Sequence, residues 1–413
     1  MTETRLIPYP EERALEDAAY ARGAMPTRLF HLLLPVWRVE IRATITEAEP
    51  YDLIDYYLER GIAEGGLHIP ADLAEFFSLD EALVDRALRV LSRIGHVRVT
   101  DGRVSLTEIG ERSVRDKWRY TVKRQDHREL YFDGFGSRPL TRPYYDPSTV
   151  TLLSGQELLD VVNRRGWPAF RMIVSLRAFR DEAVAELAAQ ADRDRFNLPA
   201  RIDAPERVAP SEPVYLPAYL VRAVTPDGRA RHLVYTQAAG AVDEDITGIY
   251  ERSPDLGQVI ENEEAVARDG RDETRAREWL RKRGQDRLRP VRRPNGTLRV
   301  TFPPSCFDAK GPVPLSKLGS FVVLGNDFFH VWCDDERVRR RALLERVGFF
   351  LGARTSIRRS DLGARVARVG RQVGLGEVGL AELRAMAVRA GMRDLVSLLD
   401  EVSTSGRNRE SRS

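Results

Sequence analysis

The chain has 413 residues, 42% of them hydrophobic and 31% charged, with 65 Lys+Arg against 62 Asp+Glu and a formal net charge of +3. That composition suits a folded chain of about two to four domains. It excludes wholesale disorder, a collagen-like chain and, with only Cys306 and Cys333, a disulfide framework. A reducing cytoplasm is the expected compartment. No apolar run reaches the roughly 20 residues of a membrane span, and Met1–Pro10 lacks the basic-then-apolar order of a secretory leader.

Residues 1–50 join a charged helical segment to an apolar run, Leu29–Trp37, broken by Pro35, and are expected as a helical extension. Residues 51–60 place Leu53, Ile54, Tyr57 and Leu58 on one helical face, with Gly61 expected to stop the helix. Pro70 suits the first position of a second helix. Ser78-Leu79-Asp80 reads as a turn, with Asp80 as the N-cap of a third helix, Glu81 to about Ile94. In that helix Val84, Ala87, Leu88, Leu91 and Ile94 share the core face, and Gly95 is placed to end it. Asp101-Gly102 between alternating runs (His96–Thr100 and Arg103–Leu106) reads as a β-hairpin, followed by Leu106-Thr107-Glu108-Ile109-Gly110.

Helix, helix, turn, helix, then a hairpin ending in Leu-Thr-x-x-Gly resembles the winged-helix domains of the MarR and PadR type. The resemblance covers residues 51–112, about a sixth of the chain, within a unit placed at 51–116. It implies that Glu81–Arg93 lies in a DNA major groove while the hairpin tip, Arg98 to Arg103, reaches backbone or minor groove. The solvent face of that helix carries Glu81, Asp85, Arg86, Arg89 and Arg93. Arg86, Arg89, Arg93, Arg98 and Arg103 are the candidate DNA contacts. The two carboxylates repel phosphate, and docking to another protein is the competing reading.

Residues 117–210 are expected as a helical connector. At its start Lys117-Trp118-Arg119-Tyr120-Thr121-Val122-Lys123-Arg124 interleaves cations with aromatic rings. That pattern suits nucleic acid, with Lys117 and Arg119 on phosphate and rings on bases. The plainer reading is a helix or strand with Trp118 and Val122 buried. The prolines of Leu198–Pro217 read as a linker. Residues 211–333 read as an α+β domain, in which Tyr219–Val224 and His232–Thr236 flank a Pro-Asp-Gly turn. Arg271–Arg293 holds ten basic and four acidic residues, with Arg281, Lys282 and Arg283 the candidate phosphate contacts.

Residues 334–402 read as a basic helical region and 403–413 as a polar, disordered tail. Asp335 sits at a helix start and Arg339, Arg340 and Arg341 follow as the densest candidate cluster. Eleven Arg against two acidic residues between Arg337 and Arg371 make a nonspecific nucleic-acid footprint, or a face for an acidic protein. Residues 271–413 carry a net charge of +13 and residues 1–270 one of −10. The charge favours a polyanion partner for the basic part, or attraction between the two parts. Only five of the basic residues are Lys, a bias that a GC-rich genome explains most simply.

Catalytic motifs are absent: no phosphate-binding loop, no dinucleotide fingerprint and no H-E-x-x-H. Cys306, His330 and Cys333 fit no standard zinc spacing. Asp308-x-Lys310 and the Asp327, His330, Asp334, Asp335 group are weak nuclease or Mg²⁺ signals, better explained by turns and a helix cap. The expected fold is therefore α+β and mainly helical: an N-terminal winged helix-turn-helix, an α/β region and a basic helical C-terminal region. The expected function is a noncatalytic protein that binds double-stranded DNA, without cofactor, metal or membrane. It would act as a regulator or as the recognition subunit of a bacterial DNA-processing or antiviral defence complex. Protein partner subunits or self-association are compatible with this. The alternatives are a protein–protein adaptor and a metal-dependent nuclease whose site is not readable by spacing.

Overall fold

The computed structural model describes residues 6–162, 170–173, 176–199, 201–253, 256–258, 260, 262, 271–354 and 357–410. Parts of the expected connector, α+β domain, basic region and tail (411–413) lie outside the described residues. In chain order the elements are α1 (Glu11–Tyr20), β1 (Met25–Glu49), α2 (Leu53–Ala63), α3 (Pro70–Phe77), α4 (Glu81–Arg93), β2 (Val97–Thr100), β3 (Arg103–Leu106), α5 (Glu108–Asp116) and β4 (Arg119–Asp133). Then come α6 (Gly155–Val162), β5 (Arg171–Met172), α7 (Ala183–Ala189), β6 (Arg201–Arg207), β7 (Glu212–Val224), β8 (Ala230–Thr236), α8 (Glu244–Glu251) and α9 (Arg271–Arg281). The last part holds β9 (Pro290–Arg292), β10 (Leu298–Thr301), β11 (Phe321–Leu324), β12 (Asp327–Trp332), α10 (Glu336–Gly352), α11 (Arg359–Gln372), α12 (Leu380–Arg389) and α13 (Arg393–Glu410).

The chain is 41% helix and 26% strand, so it is α+β but not mainly helical. The largest correction lies in residues 1–50, where a single 25-residue strand, β1, follows one short helix. Val39, Ile41, Ala43 and Ile45 are buried at every second position, the period of a strand with one face covered. The expected helical connector likewise contains β4, β5 and β6. The proline-rich stretch read as a linker holds β6 and the start of β7. Proline forbids helix interior but tolerates extended backbone.

Contacts divide the chain into two compact units. One comprises residues 36–147 and 177–214. In it β4 pairs antiparallel with β1 from Val36↔Asp133 to Glu49↔Arg119, and β6 pairs with β1 between Ile41 and Thr46. Residues 51–116 are thus an insertion between two paired strands. Their own core gathers Leu58 and Ile62 from α2, Leu73 from α3, Val84, Leu88 and Leu91 from α4, and Val97 and Val104 from the hairpin. Burying each aliphatic chain of this kind is worth about 1.5–3 kcal/mol. One local expectation fails in α2. The helix runs through Gly61 to Ala63, because a bare Cα is what fits there: an added Cβ would lie 2.8 Å from the Phe77 ring. Of the four apolar residues expected on one face of α2, Leu58 is buried and Leu53 and Tyr57 are exposed.

The other unit comprises residues 1–35, 148–176 and 215–413. One core packs α1 against β7, β8 and the Phe321 and Phe328 rings of β11 and β12. A second core joins the sheet β11-β12-β10-β9 to α9 and to the four helices α10–α13. The last helix continues to Glu410, taking in most of the stretch expected as a tail; buried Leu395 and Leu399 anchor its first turns.

Candidate nucleic-acid interface

The α3–turn–α4 corner is built by short-range chemistry. Pro70 opens α3, and Ser78 leaves it in the left-handed region at φ 52°. The Asp80 carboxylate then accepts from the Ala82 amide at 2.7 Å and starts α4. After α4, Asp101 and Gly102 both take positive φ, 50° and 74°, and close the β2–β3 hairpin. That pair of angles is the two-residue turn that glycine favours and that matches strand twist. The Val104 amide donates to the His68 carbonyl at 2.7 Å, fixing the hairpin against the α2–α3 connection.

The exposed surface of this corner carries five of the candidate cations. Leu83, Arg86, Val90 and Arg93 succeed one another at helical spacing along the outer face of α4. Arg89 lies beside them, 3.9 Å from the Asp85 carboxylate. Arg98 and Arg103 are exposed on the hairpin. Among the described residues Arg86, Arg93, Arg98 and Arg103 have no carboxylate within ion-pair distance. Leu83 and Val90 were not anticipated on this face; their signal in the sequence is that a core face of four or five positions cannot hold both.

Beneath it lies a buried polar core. His96 and Glu59 are both 0% exposed, and the imidazole Nδ1 lies 2.6 Å from the Glu59 carboxylate. Tyr51 donates its hydroxyl to the same carboxylate, and His96 Nε2 meets the Tyr120 carbonyl. Both partners of the ring can only accept, so both ring nitrogens are satisfied as donors in the imidazolium form. Burial opposes that charge, but the bonds to Glu59 and to Tyr120 outweigh it and hold the pKa above the ordinary histidine value. This pair ties α2, the hairpin and β4 together.

Most of the other candidates are already engaged within the fold. Arg119 bonds Glu49 at 2.6 Å and lies 3.7 Å from Asp55, clamping the base of the insertion. Lys117 is exposed beside it, and Trp118 and Val122 are exposed, not buried. In the other unit α9 ends at Arg281, so Arg281, Lys282 and Arg283 sit at its exposed end. Arg281 lies 3.8 Å from Glu278, and Arg283 stacks 3.7 Å from the Trp279 ring centre. Arg339 donates to the Gly374 carbonyl, Arg340 pairs with Glu336, and Arg341 donates to the Phe307 carbonyl. Arg340 and Arg341 also line a pocket of about 640 Å³ with Arg337, Leu344, Met386 and Arg389.

No family model, curated protein or solved structure matches the chain. The weak metal signals have structural occupations. Asp327 pairs with Arg28 and, at 2.8 Å, with Arg275. His330 is bonded by the Tyr20 hydroxyl at 3.0 Å, and burial, with Arg299 beside it, pushes its pKa down to about 3. Asp335 caps α10, and Asp334 accepts from the Trp332 indole. Among the described residues no group of three or more His, Cys, Asp or Glu is arranged to hold a metal ion, and no helix is long and apolar enough to cross a membrane.

Proposed function

We propose that the chain is a noncatalytic double-stranded DNA-binding protein that engages DNA through residues 51–116. One observation carries the reading: the candidate arginines that have no carboxylate, carbonyl or ring partner among the described residues, Arg86, Arg93, Arg98 and Arg103, lie on the outer face of α4 and on the adjoining hairpin. A helix with free guanidinium groups beside a basic hairpin is the arrangement that winged-helix proteins use to grip a duplex. Phosphate contact supplies most of the affinity. Leu83 and Val90 give α4 apolar contacts suited to thymine methyl groups. A place as regulator or recognition subunit of a larger DNA-processing or defence complex follows from the same reading.

The test is fluorescence anisotropy with a labelled duplex over a salt series. Arg86→Glu with Arg93→Glu should weaken binding at least about tenfold and flatten the salt slope by about one per lost phosphate contact. A wild-type slope near zero, or a slope and affinity that the double variant leaves unchanged, would sink the reading.

A second reading, docking to a protein, draws on another face of the same insertion. Leu53 and Phe76 are 69% and 67% exposed, with Tyr57 also exposed on α2. An adaptor role expects Phe76→Asp to abolish assembly with the partner subunit and leave duplex affinity intact.

A further inference from the structure

A second pocket, of about 690 Å³, opens among the C-terminal helices, on the α10 and α11 side. It is lined by Glu16, Leu315, Arg346, Phe349, Arg365 and Met392 among others. Its charged lining groups are two carboxylates, Glu16 and Glu345, and two guanidinium groups, Arg346 and Arg365. Glu16 is engaged by the Ser320 hydroxyl, and Glu345, at the edge, lies 3.7 Å from Arg341. Arg346 is held in place by the carbonyls of Leu315, Ser316 (2.6 Å) and Leu318. Arg365 rests against the Phe350 ring, 5.4 Å from its centre, and has no carboxylate within ion-pair distance among the described residues. The Nε atoms of both arginines are shut off from solvent and have no acceptor. Arg354 stacks on the same Phe350 ring at 4.1 Å, and Arg368 is already paired with Asp17 at 3.5 Å. Burial holds Arg346 and Arg365 below the ordinary arginine value against the opposing pull of Glu16 on both, and the Arg368 guanidinium adds to the lowering at Arg365. With Glu345 turned to Arg341, one carboxylate, Glu16, stands against the two guanidinium groups of Arg346 and Arg365 in a half-dry pocket. At its rim the Phe349 ring is 82% exposed, with Leu315 and Met392 as further apolar wall.

We propose that this pocket binds a small organic anion, a carboxylate, phosphate or sulfonate carried on a flat apolar body. The acid group meets Arg365 and Arg346, and the apolar body lies against Phe349 and Met392. The volume suits such a ligand, since small-molecule sites run from about 300 to 1,000 Å³ and combine apolar walls with a few fixed polar groups. Charge-assisted bonds from guanidinium to an oxyanion are the strong ones, and a preorganised arginine loses little freedom in making them. None of the pocket's lining residues falls within 51–116, and the proposal does not rest on the DNA-binding reading.

The probe is anilinonaphthalene sulfonate, an anion on a flat apolar body whose fluorescence rises when it leaves water. Titrated against the full chain, it should bind saturably at one site. Arg365→Gln should weaken that binding about tenfold, the worth of one charge-assisted bond. Phe349→Ala, at an exposed position that folding does not need, should weaken it about threefold. Arg389→Gln, which removes a cation from the neighbouring pocket, should leave it unchanged. If Arg365→Gln fails to unfold cooperatively, Ser316→Trp replaces it: a large ring at this exposed lining position should block the dye. The proposal is overturned by unsaturable binding, by dye affinity unchanged in Phe349→Ala and in whichever pocket variant folds, or by loss in Arg389→Gln. It is overturned equally if Arg365→Gln weakens duplex DNA binding while the dye binds as before, because the arginine would then serve a nucleic-acid phosphate.

Discussion

At position 96 the chain places a histidine between a carboxylate and a carbonyl, two groups that only accept hydrogen bonds. Its raised pKa ties the stability of the insertion to pH with a definite sign. A group whose pKa rises on folding stabilises fully below its unfolded value, about 6.5. That contribution is lost as pH climbs through the higher folded value. Urea unfolding should therefore show stability falling from neutral toward alkaline pH over this window, and His96→Gln should remove the dependence. The same substitution strands Glu59 as an unpaired buried charge and should cost roughly 3 kcal/mol. Stability that instead fell on acidification through the same window would contradict a buried imidazolium. Nothing in the local sequence around His96 announces this pair, because Glu59 lies 37 positions away. Arg119 teaches the same point: a basic residue in a basic, aromatic segment is committed to Glu49 at the foot of the insertion.

Individual elements were more readable. The starts of α3, α4 and α10 follow from Pro70, Asp80 and Asp335, each acting within three residues of itself. Asp80→Ala should cost about 1 kcal/mol in urea unfolding by removing the cap on the helix that carries Arg86 and Arg93. The β2–β3 hairpin is legible from Asp101-Gly102 for the same reason. The long strands were not. The first half of β1 is buried on both faces, so Phe30 to Val36 show no alternation, and Pro35 reads as a break. The alternation of Val39 to Ile45 was the available signal. In α2 Leu58 is buried while Leu53 and Tyr57 stand on the helix surface, so a shared helical face did not tell core residues from exposed ones.

For the whole molecule, the placement of residues 51–116 between β1 and β4 decides what can be removed. Glu49 and Arg119 face each other across the ladder, so the insertion enters and leaves at one point. Replacing residues 51–117 by a short glycine–serine turn should leave the rest of the chain folding cooperatively, seen by circular dichroism, and should abolish duplex binding in anisotropy. Binding that survives the deletion would move the interface to the basic residues after 270. The split of net charge between residues 1–270 and 271–413 remains a property of composition, but the structure divides the cations by employment. Those at Arg339, Arg341 and Arg346 hold backbone carbonyls, while Arg86 and Arg93 on the outer face of α4 have no partner among the described residues.

The sequence by itself determined the helix–helix–turn–helix–hairpin order of residues 51–112, the caps and the turns, since each depends on groups a few bonds apart. Only the tertiary structure decided that strands run through much of the rest, that the insertion hangs from one strand pair, and which arginines stay free. Strand pairing and charge neutralisation join residues far apart in the chain, and neither leaves a periodic trace where it occurs.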